Sequence, residues 1–284
     1  VKPLEALLKA QAALDRLGVN NPCGQAEWML EMILGISRSD LYRDGERELA
    51  PEQLDTLREF LRRRKVGEPL QYILGTVDFH HVTLKADRRA LIPRPETEGL
   101  VELALEFLQE LPNPRFLDIG TGTGAIALAI LHDHTGATGL ACDSSGAALE
   151  LARENAKYLG LESRITFILA DLFAPDFTKV IADRFALVVS NPPYVSQALY
   201  QQLPEEIREW EPPQALESGP EGLDAIKHLA EIGGELIESE GRLIIEIGEA
   251  QGETASAAFG HLKWHTQVTK DLNGKPRYLS ATRG

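Results

Sequence analysis

Apolar positions in the first quarter of the chain recur at helical spacing. Leu4, Leu7, Leu8, Leu14 and Leu17 fall on one side of residues 3–17, and Gly18 follows as a stop. A second helix fits residues 22–34, ended by Gly35. A third opens at Pro51, aligns Leu54, Leu57 and Leu61, and finishes in Arg62-Arg63-Arg64-Lys65 before Gly67 and Pro69. Residues 1–70 are therefore expected to form a small helical domain. Over residues 71–92 the pattern turns to aromatic and β-branched positions, with Tyr72, Ile73, Val77, Phe79, Val82 and Leu84, which predicts a β-hairpin linker.

Residues 93–284 read differently. A helix near 98–110 is followed by short apolar runs at 116–119, 140–143, 165–169, 185–190 and 243–247, with helical stretches between them. That alternation predicts an α/β domain with right-handed βαβ crossovers and a parallel sheet, and residues 277–281 are expected as an edge strand.

Composition narrows the function classes. No stretch approaches the ~18 uninterrupted apolar residues of a membrane span, and residues 1–5 read as an amphipathic helix rather than a basic-then-apolar leader, so a cytoplasmic protein is expected. Cys23 and Cys142 are too few for a disulfide framework or a cysteine zinc site. The formal charge of −14 repels phosphate backbones on average and favours a protein or small-molecule substrate over nucleic acid. The basic run Arg62–Lys65 is expected to complement the dipole of its own helix. His80-His81 and His132-Asp133-His134 lack further ligands at recognisable spacing, so no metal is expected.

The segment Asp118-Ile119-Gly120-Thr121-Gly122-Thr123-Gly124 joins a strand to a helix. Its glycines allow a tight turn and close approach of a ligand, and the helix N-terminus is expected to offer unpaired N–H groups. Gly120, Gly122 and Ala125 also satisfy the relaxed dinucleotide pattern, so the loop alone does not separate S-adenosylmethionine from NAD. Asp143 ends the next strand, 25 residues beyond Asp118, and can accept both hydroxyls of a ribose. Asp118 favours S-adenosylmethionine, because it can pair with a ligand ammonium but would be repelled by a pyrophosphate. Asp171-Leu172-Phe173 follows the third strand, where an adenine edge and face are expected.

Ser190-Asn191-Pro192-Pro193-Tyr194 follows an apolar strand. Two prolines stiffen the corner and fix the direction of the Pro192 carbonyl. With the Asn191 side-chain oxygen it can receive both hydrogens of an NH₂ group, while Tyr194 offers a face for a planar amide. A methyltransferase acting on a flat amide or amino nitrogen is expected.

On these residues, together with Ile92-Pro93-Arg94-Pro95-Glu96-Thr97-Glu98 and Asp271-Leu272-Asn273-Gly274-Lys275-Pro276-Arg277, the chain resembles the protein-(glutamine-N5) methyltransferases. It is most similar to the PrmC/HemK-type enzymes that modify peptide chain release factors. The resemblance implies a seven-stranded, Rossmann-like methyltransferase sheet, a helical N-terminal domain that helps hold the release factor, and methylation of the glutamine in its Gly-Gly-Gln motif. It also implies that Gly120, Thr121, Gly122, Thr123, Gly124 and Asp143 bind S-adenosylmethionine, that Leu172 lies near adenine, and that Asn191–Tyr194 engage the glutamine. Phe79, Arg94 and Glu96 are expected to shape the pocket wall. Four other readings stay open: glutamine methylation of a ribosomal protein, N-methylation of an exocyclic base amine, a nicotinamide oxidoreductase, which leaves Asn191–Tyr194 unexplained, and a non-enzymatic binding module with a relic cofactor site.

Overall fold

The computed structural model describes residues 1–43 and 48–283. Its contacts divide the chain into two units, Val1–Gly75 with Glu205–Trp210, and Thr76–Pro204 with the chain from Glu211 onward.

The first unit is helical. Helices Pro3–Arg16, Pro22–Leu34 and Pro51–Lys65 each begin on proline, whose missing N–H is unneeded there. They pack Leu7, Leu14, Met29, Leu30, Leu57 and Leu70 into one core. A short helix not anticipated from the apolar pattern, Arg38–Arg43, is capped by the Ser37 hydroxyl and anchored by the fully buried Leu41. Leu70–Leu74, assigned to the hairpin by its aromatic and β-branched residues, is also helical. Leu70, Ile73 and Leu74 follow the i, i+3, i+4 pattern, and Gly75 closes the turn in the left-handed region at φ 75°. The basic run is not simply a solvated helix end. Arg63 pairs with Glu68, and the buried Arg64 reaches Gln25, the Glu68 carbonyl and Glu206.

In the second unit a two-stranded hairpin, β1 (Thr76–Phe79) and β2 (Val82–Lys85), precedes a seven-stranded sheet. The sheet comprises β3 (Arg115–Ile119), β4 (Thr138–Asp143), β5 (Ile165–Leu169), β6 (Phe185–Ser190), β7 (Ile237–Glu246), β8 (Trp264–Lys270) and β9 (Pro276–Arg283). Its order is β5-β4-β3-β6-β7-β9-β8, parallel from β5 to β7 and antiparallel across β7-β9-β8. The C-terminal strand is therefore not the edge. The buried Leu279 and Ala281 carry β9 into the interior, and β8, whose sequence Trp-His-Thr-Gln-Val-Thr-Lys is mostly polar, takes the edge.

Alternation along the strands feeds two cores, one on each face. Phe116, Leu187, Val189 and Ile244 face helices Glu98–Leu108 and Ala125–Asp133 together with the hairpin. Leu117, Val188, Leu243 and Ile245 face helices Asp224–Leu236 and Gly252–Gly260. The chain runs outward from β3 through β4 to β5, then crosses back to place β6 on the other side of β3. Crevices for ligands form outside the carboxyl ends of strands at such a reversal.

Candidate active site

Ile119, the last residue of β3, lies opposite Ser190, the last residue of β6, and the Ser190 hydroxyl donates to the Ile119 carbonyl at 2.7 Å. The glycine loop and the Asn-Pro-Pro turn thus leave the sheet side by side, although 71 residues separate them in the chain. Between them lies a cavity of about 360 Å³, walled by Gly120, Gly122, Asp143, Asp171, Leu172 and Phe173 and by Asn191, Pro192 and Pro193. This is within the size range of small-molecule sites.

The loop glycines 120, 122 and 124 have φ of 74°, 56° and 84°, a region that side chains disfavour. Most N–H groups of the loop itself are bonded within the protein. Gly120 and Thr121 donate to the Cys142 carbonyl, Gly122 to Asp143 Oδ2 at 2.9 Å, and Gly124 to the Thr121 carbonyl. The glycines instead give a wall free of side chains. Asp143 lies in that wall, its Oδ1 accepting from the Ser145 N–H at 2.8 Å. Burial pushes its carboxyl above the usual range, opposed by backbone N–H donors.

Asp118, Thr121, Thr123 and Gly124 stand behind the wall rather than in it. Asp118 is fully buried, and its carboxylate braces the loop. Its Oδ2 accepts from the Thr121 hydroxyl at 2.6 Å, the Ala127 N–H also donates to the carboxyl, and Oδ1 is buried without a partner. Thr123 is held from outside by Asn155, whose amide donates to the Thr123 carbonyl and exchanges hydrogen bonds with the Lys85 backbone of β2.

Burial pushes the Asp118 pKa up to about 7, against the Thr121 and Ala127 hydrogen bonds. Its folded pKa exceeds the unfolded value, so the fold retains a proton that the unfolded chain has already lost. The group's contribution to stability therefore falls as pH rises from about 4 through about 7. Asp118→Asn does not titrate, and its stability relative to the parent should rise by a few kcal/mol at most across that window, on the order set by the shift. Thermal melts of both proteins at pH 5 and pH 8 measure this; a difference that does not change with pH contradicts it.

On the acceptor side, the Asn191 amide NH₂ donates to the Thr97 hydroxyl at 3.1 Å. Thr97 in turn donates to Glu246 Oε2 at 2.7 Å, and the Tyr194 hydroxyl donates to Glu246 Oε1 at 3.0 Å. Glu246, at the end of β7, is buried, which raises its pKa; the Thr97 and Tyr194 hydroxyls and the charge of Arg277 oppose the rise. A carboxylate only accepts, so Thr97 must donate to it and present a lone pair to Asn191. The Asn191 NH₂ is thereby committed to Thr97, and its oxygen is left at the other edge of the planar amide. Among the described residues no protein donor reaches that oxygen or the Pro192 carbonyl.

Tyr194 does not line this cavity. Its hydroxyl is tied to Glu246, with its pKa raised first by burial and then by that carboxylate. Its carbonyl is held by Gln251, and Gly222 passes so close that a Cβ there would meet the Tyr194 oxygen at 2.3 Å. Phe79, Arg94 and Glu96 are absent from the wall as well. Phe79 is 1% exposed in the core. Arg94 pairs with the buried Glu211 at 2.6 Å, and Glu96, itself exposed, accepts the Tyr278 hydroxyl on its backbone carbonyl.

Residues 5–75 match the family described as PrmC N-terminal domain, and residues 101–209 match the methyltransferase small domain. A release factor glutamine methyltransferase of Deinococcus radiodurans is 37% identical over 279 residues, covering 98% of each chain. One of Caulobacter vibrioides is 39% identical over 96% of this chain and 95% of its own. The chain belongs to the release factor glutamine methyltransferase family. Among solved structures, the hMettl16 catalytic domain bound to a MAT2A 3′UTR hairpin matches at TM-score 0.55 and 12% identity, over 84% of this chain and 85% of its own. A methyltransferase of Pyrococcus furiosus matches at 0.50 and 14%, over 71% and 88%. These two speak to the fold, the Rossmann-like sheet of S-adenosylmethionine-dependent methyltransferases.

The cavity fits the family's methyl donor, S-adenosylmethionine, on three counts: its volume, a glycine wall without side chains, and a carboxylate at the end of the second strand of the sheet. Phe173 belongs to the Asp171-Leu172-Phe173 segment read as the adenine site, whereas four other residues here were not singled out from sequence. Phe173 adds an aromatic wall beside Leu172. Thr97 and Glu246 orient Asn191, Asn155 clamps the glycine loop, and Glu211 anchors Arg94 and the Ile92 N–H. Thr97 lies within a motif that carried the resemblance; Glu246, Asn155 and Glu211 had no local signal.

Proposed function

We propose that this enzyme transfers the methyl group of S-adenosylmethionine to the side-chain amide nitrogen, N5, of the glutamine in the Gly-Gly-Gln motif of peptide chain release factors. The observation that carries the reading is the single cavity in which Asp143 and the glycine wall face Asn191 and Pro192. S-adenosylmethionine supplies a methyl carbon made electrophilic by a positively charged sulfur. Asp143 is assigned to the ribose hydroxyls, and Asp171, Leu172 and Phe173 to the adenine.

An amide nitrogen is a poor nucleophile because its lone pair is delocalised into the carbonyl. The Asn191 side-chain oxygen and the Pro192 carbonyl are assigned to its two hydrogens. Both acceptors gain strength as positive charge develops on nitrogen, so they favour the transition state over the bound substrate. Fixing the nitrogen at the methyl carbon contributes on the order of 7–11 kcal/mol. Thr97 and Glu246 act through Asn191, by holding its amide in the orientation that turns oxygen, not NH₂, toward the substrate.

Thr97→Val keeps the shape of that side chain while removing the acceptor for Asn191. The expected result is about a tenfold loss in kcat/KM, near 1.4 kcal/mol, with cofactor affinity unchanged. An unchanged kcat/KM would reduce Thr97 to a packing residue.

The helical unit, residues 1–70 in the sequence reading, is assigned to holding the release factor. Because the substrate is a translation protein, the same reading assigns the enzyme to the cytoplasm. It calls for no direct nucleic-acid contact, in keeping with the formal charge of −14. No helix among the described residues is long and apolar enough to cross a membrane. The test is intact-mass and peptide mapping of a release factor incubated with enzyme and labelled methyl donor, beside a ribosomal protein and RNA. One methyl on the Gly-Gly-Gln glutamine is expected; label on RNA or ribosomal protein alone would refute the proposal.

A further inference from the structure

Two histidine-bearing segments that carry no metal signature in the sequence meet at one corner of the fold. His80 and His81 form the two-residue loop between β1 and β2, and Asp133 ends the helix Ala125–Asp133. The imidazoles of His80 and His81 and the Asp133 carboxylate bring donor atoms within 4.8 Å of one another. His81 Nδ1 lies 2.7 Å from Asp133 Oδ2, and His80 Nδ1 lies 3.4 Å from the same oxygen. His132 Nδ1 lies 2.7 Å from Oδ1.

His80 carries the argument. Its side chain is only 4% exposed, and its Nδ1 is buried without a hydrogen-bond partner, facing Asp133. On the other side of the ring, Nε2 lies 2.7 Å from Glu102 Oε1. A carboxylate accepts only, so Nε2 carries a proton, and the neutral ring, the form that binds a metal, presents the Nδ1 lone pair toward Asp133. This is how metal-binding histidines are prepared: an outer carboxylate fixes the tautomer and the free nitrogen faces the ion. Ordinary histidine–carboxylate hydrogen bonding accounts for His81 and His132 but leaves the His80 lone pair facing an acceptor oxygen.

Two further features agree. Asp133 places a negative charge at a helix C-terminus, where the dipole disfavours it and a cation offsets it. His80 holds φ of 50°, in the left-handed region that two-residue hairpin loops usually give to glycine.

We propose that His80, His81 and Asp133 bind a divalent transition metal of the zinc class, with Glu102 setting the His80 tautomer. Two imidazole nitrogens and a carboxylate suit zinc, whose tetrahedral ligands sit ~3.3 Å apart at Zn–N bonds of about 2.0–2.1 Å. Rotation of the exposed His81 side chain closes the remaining gap. The ion would staple the hairpin tip to the C-terminal end of the helix that follows the glycine loop. Asn155 already joins the hairpin to that loop at the helix's other end.

The experiment takes tag-free, chelator-stripped full-length enzyme and titrates it with zinc chloride by calorimetry, then with cobalt(II) to read tetrahedral absorption bands. One tight equivalent per chain is expected, with a rise in melting temperature. His81→Ala and Asp133→Asn should each bind at least tenfold more weakly, while His265→Ala, on β8, binds like the parent. Glu102→Gln should lose about tenfold in affinity, the lower end for an outer-shell partner. Methyl transfer by His81→Ala should be unchanged at saturating donor, since none of these residues lines the cavity. Failure of the folded parent to bind zinc, or equal uptake by the parent, His81→Ala and Asp133→Asn, overturns the site. Undiminished affinity in Glu102→Gln overturns the tautomer assignment.

Discussion

Asn191→Ala should lower kcat for methyl transfer to the release-factor glutamine by about 10²–10³-fold, the range found when one group matched to transition-state charge is removed. The alanine takes away the oxygen whose direction is set by Thr97 and, through it, by Glu246. Ground-state binding of the release factor rests on a much larger protein surface, so KM should move far less than kcat. That split separates an acceptor used in the transition state from one used mainly for binding. Asn191 also lines the donor cavity, but from the acceptor side. Affinity for S-adenosylhomocysteine should therefore change by less than about threefold, under 1 kcal/mol. Single-turnover kinetics with saturating donor give the comparison directly, and a kcat within threefold of the parent would remove Asn191 from the chemistry.

Asp143→Ala should act on the other half of the site. Its carboxylate already accepts the N–H groups of Gly122 and Ser145, which leaves it oriented across the cavity. Hydrogen bonds to a charged acceptor contribute about 1.5–3 kcal/mol each. The dissociation constant for S-adenosylhomocysteine should therefore rise by about 10- to 100-fold. At saturating donor, kcat should stay within a few-fold, because no reacting atom meets this residue. Asp143→Asn keeps one acceptor oxygen and should fall between the two. Calorimetry at fixed ionic strength measures both variants, and an unaltered dissociation constant in the alanine variant would argue against the ribose assignment.

Legibility of the fold followed the strength of local pattern. Strands β3 to β6 carry uninterrupted or alternating apolar residues and were readable within a few positions. By contrast, β8 exposes most of its polar sequence and is anchored chiefly by Trp264, so nothing local marked it as a strand. Because that edge strand went unseen, β9 was expected at the edge it does not occupy. The segment 70–74 misled for another reason. Tyr72 and Ile73 have strand-like side chains, yet Pro69 and Gly75 bracket one turn of helix, and tertiary burial of Leu70, Tyr72 and Ile73 decided the outcome.

In the site, the glycine loop and the Asn-Pro-Pro turn were legible because each is a backbone device written in consecutive residues. Their supports were not. Thr97 and Glu246 are 149 residues apart, and Asn155 meets Lys85 across 70. A buried polar side chain is recognised by its partners, and those appear only once the chain has folded. The same separation hid the histidine cluster, where His81 and Asp133 are 52 positions apart. Tyr194 makes the same point: the sequence shows an aromatic beside an Asn-Pro-Pro turn, but not that its hydroxyl bonds to Glu246, 52 positions away.

The rung shared by Ile119 and Ser190 has a practical corollary. Neighbouring strands in a sheet keep a separation of about 4.8 Å, so the offset between the nucleoside pocket and the carboxamide pocket is a property of the scaffold rather than of any loop. A bisubstrate inhibitor, an adenosine analogue tethered through a short linker to a glutamine-like amide, would meet both pockets at a preset span. Its optimum linker length should be sharp, and lengthening or shortening it by one methylene should weaken binding.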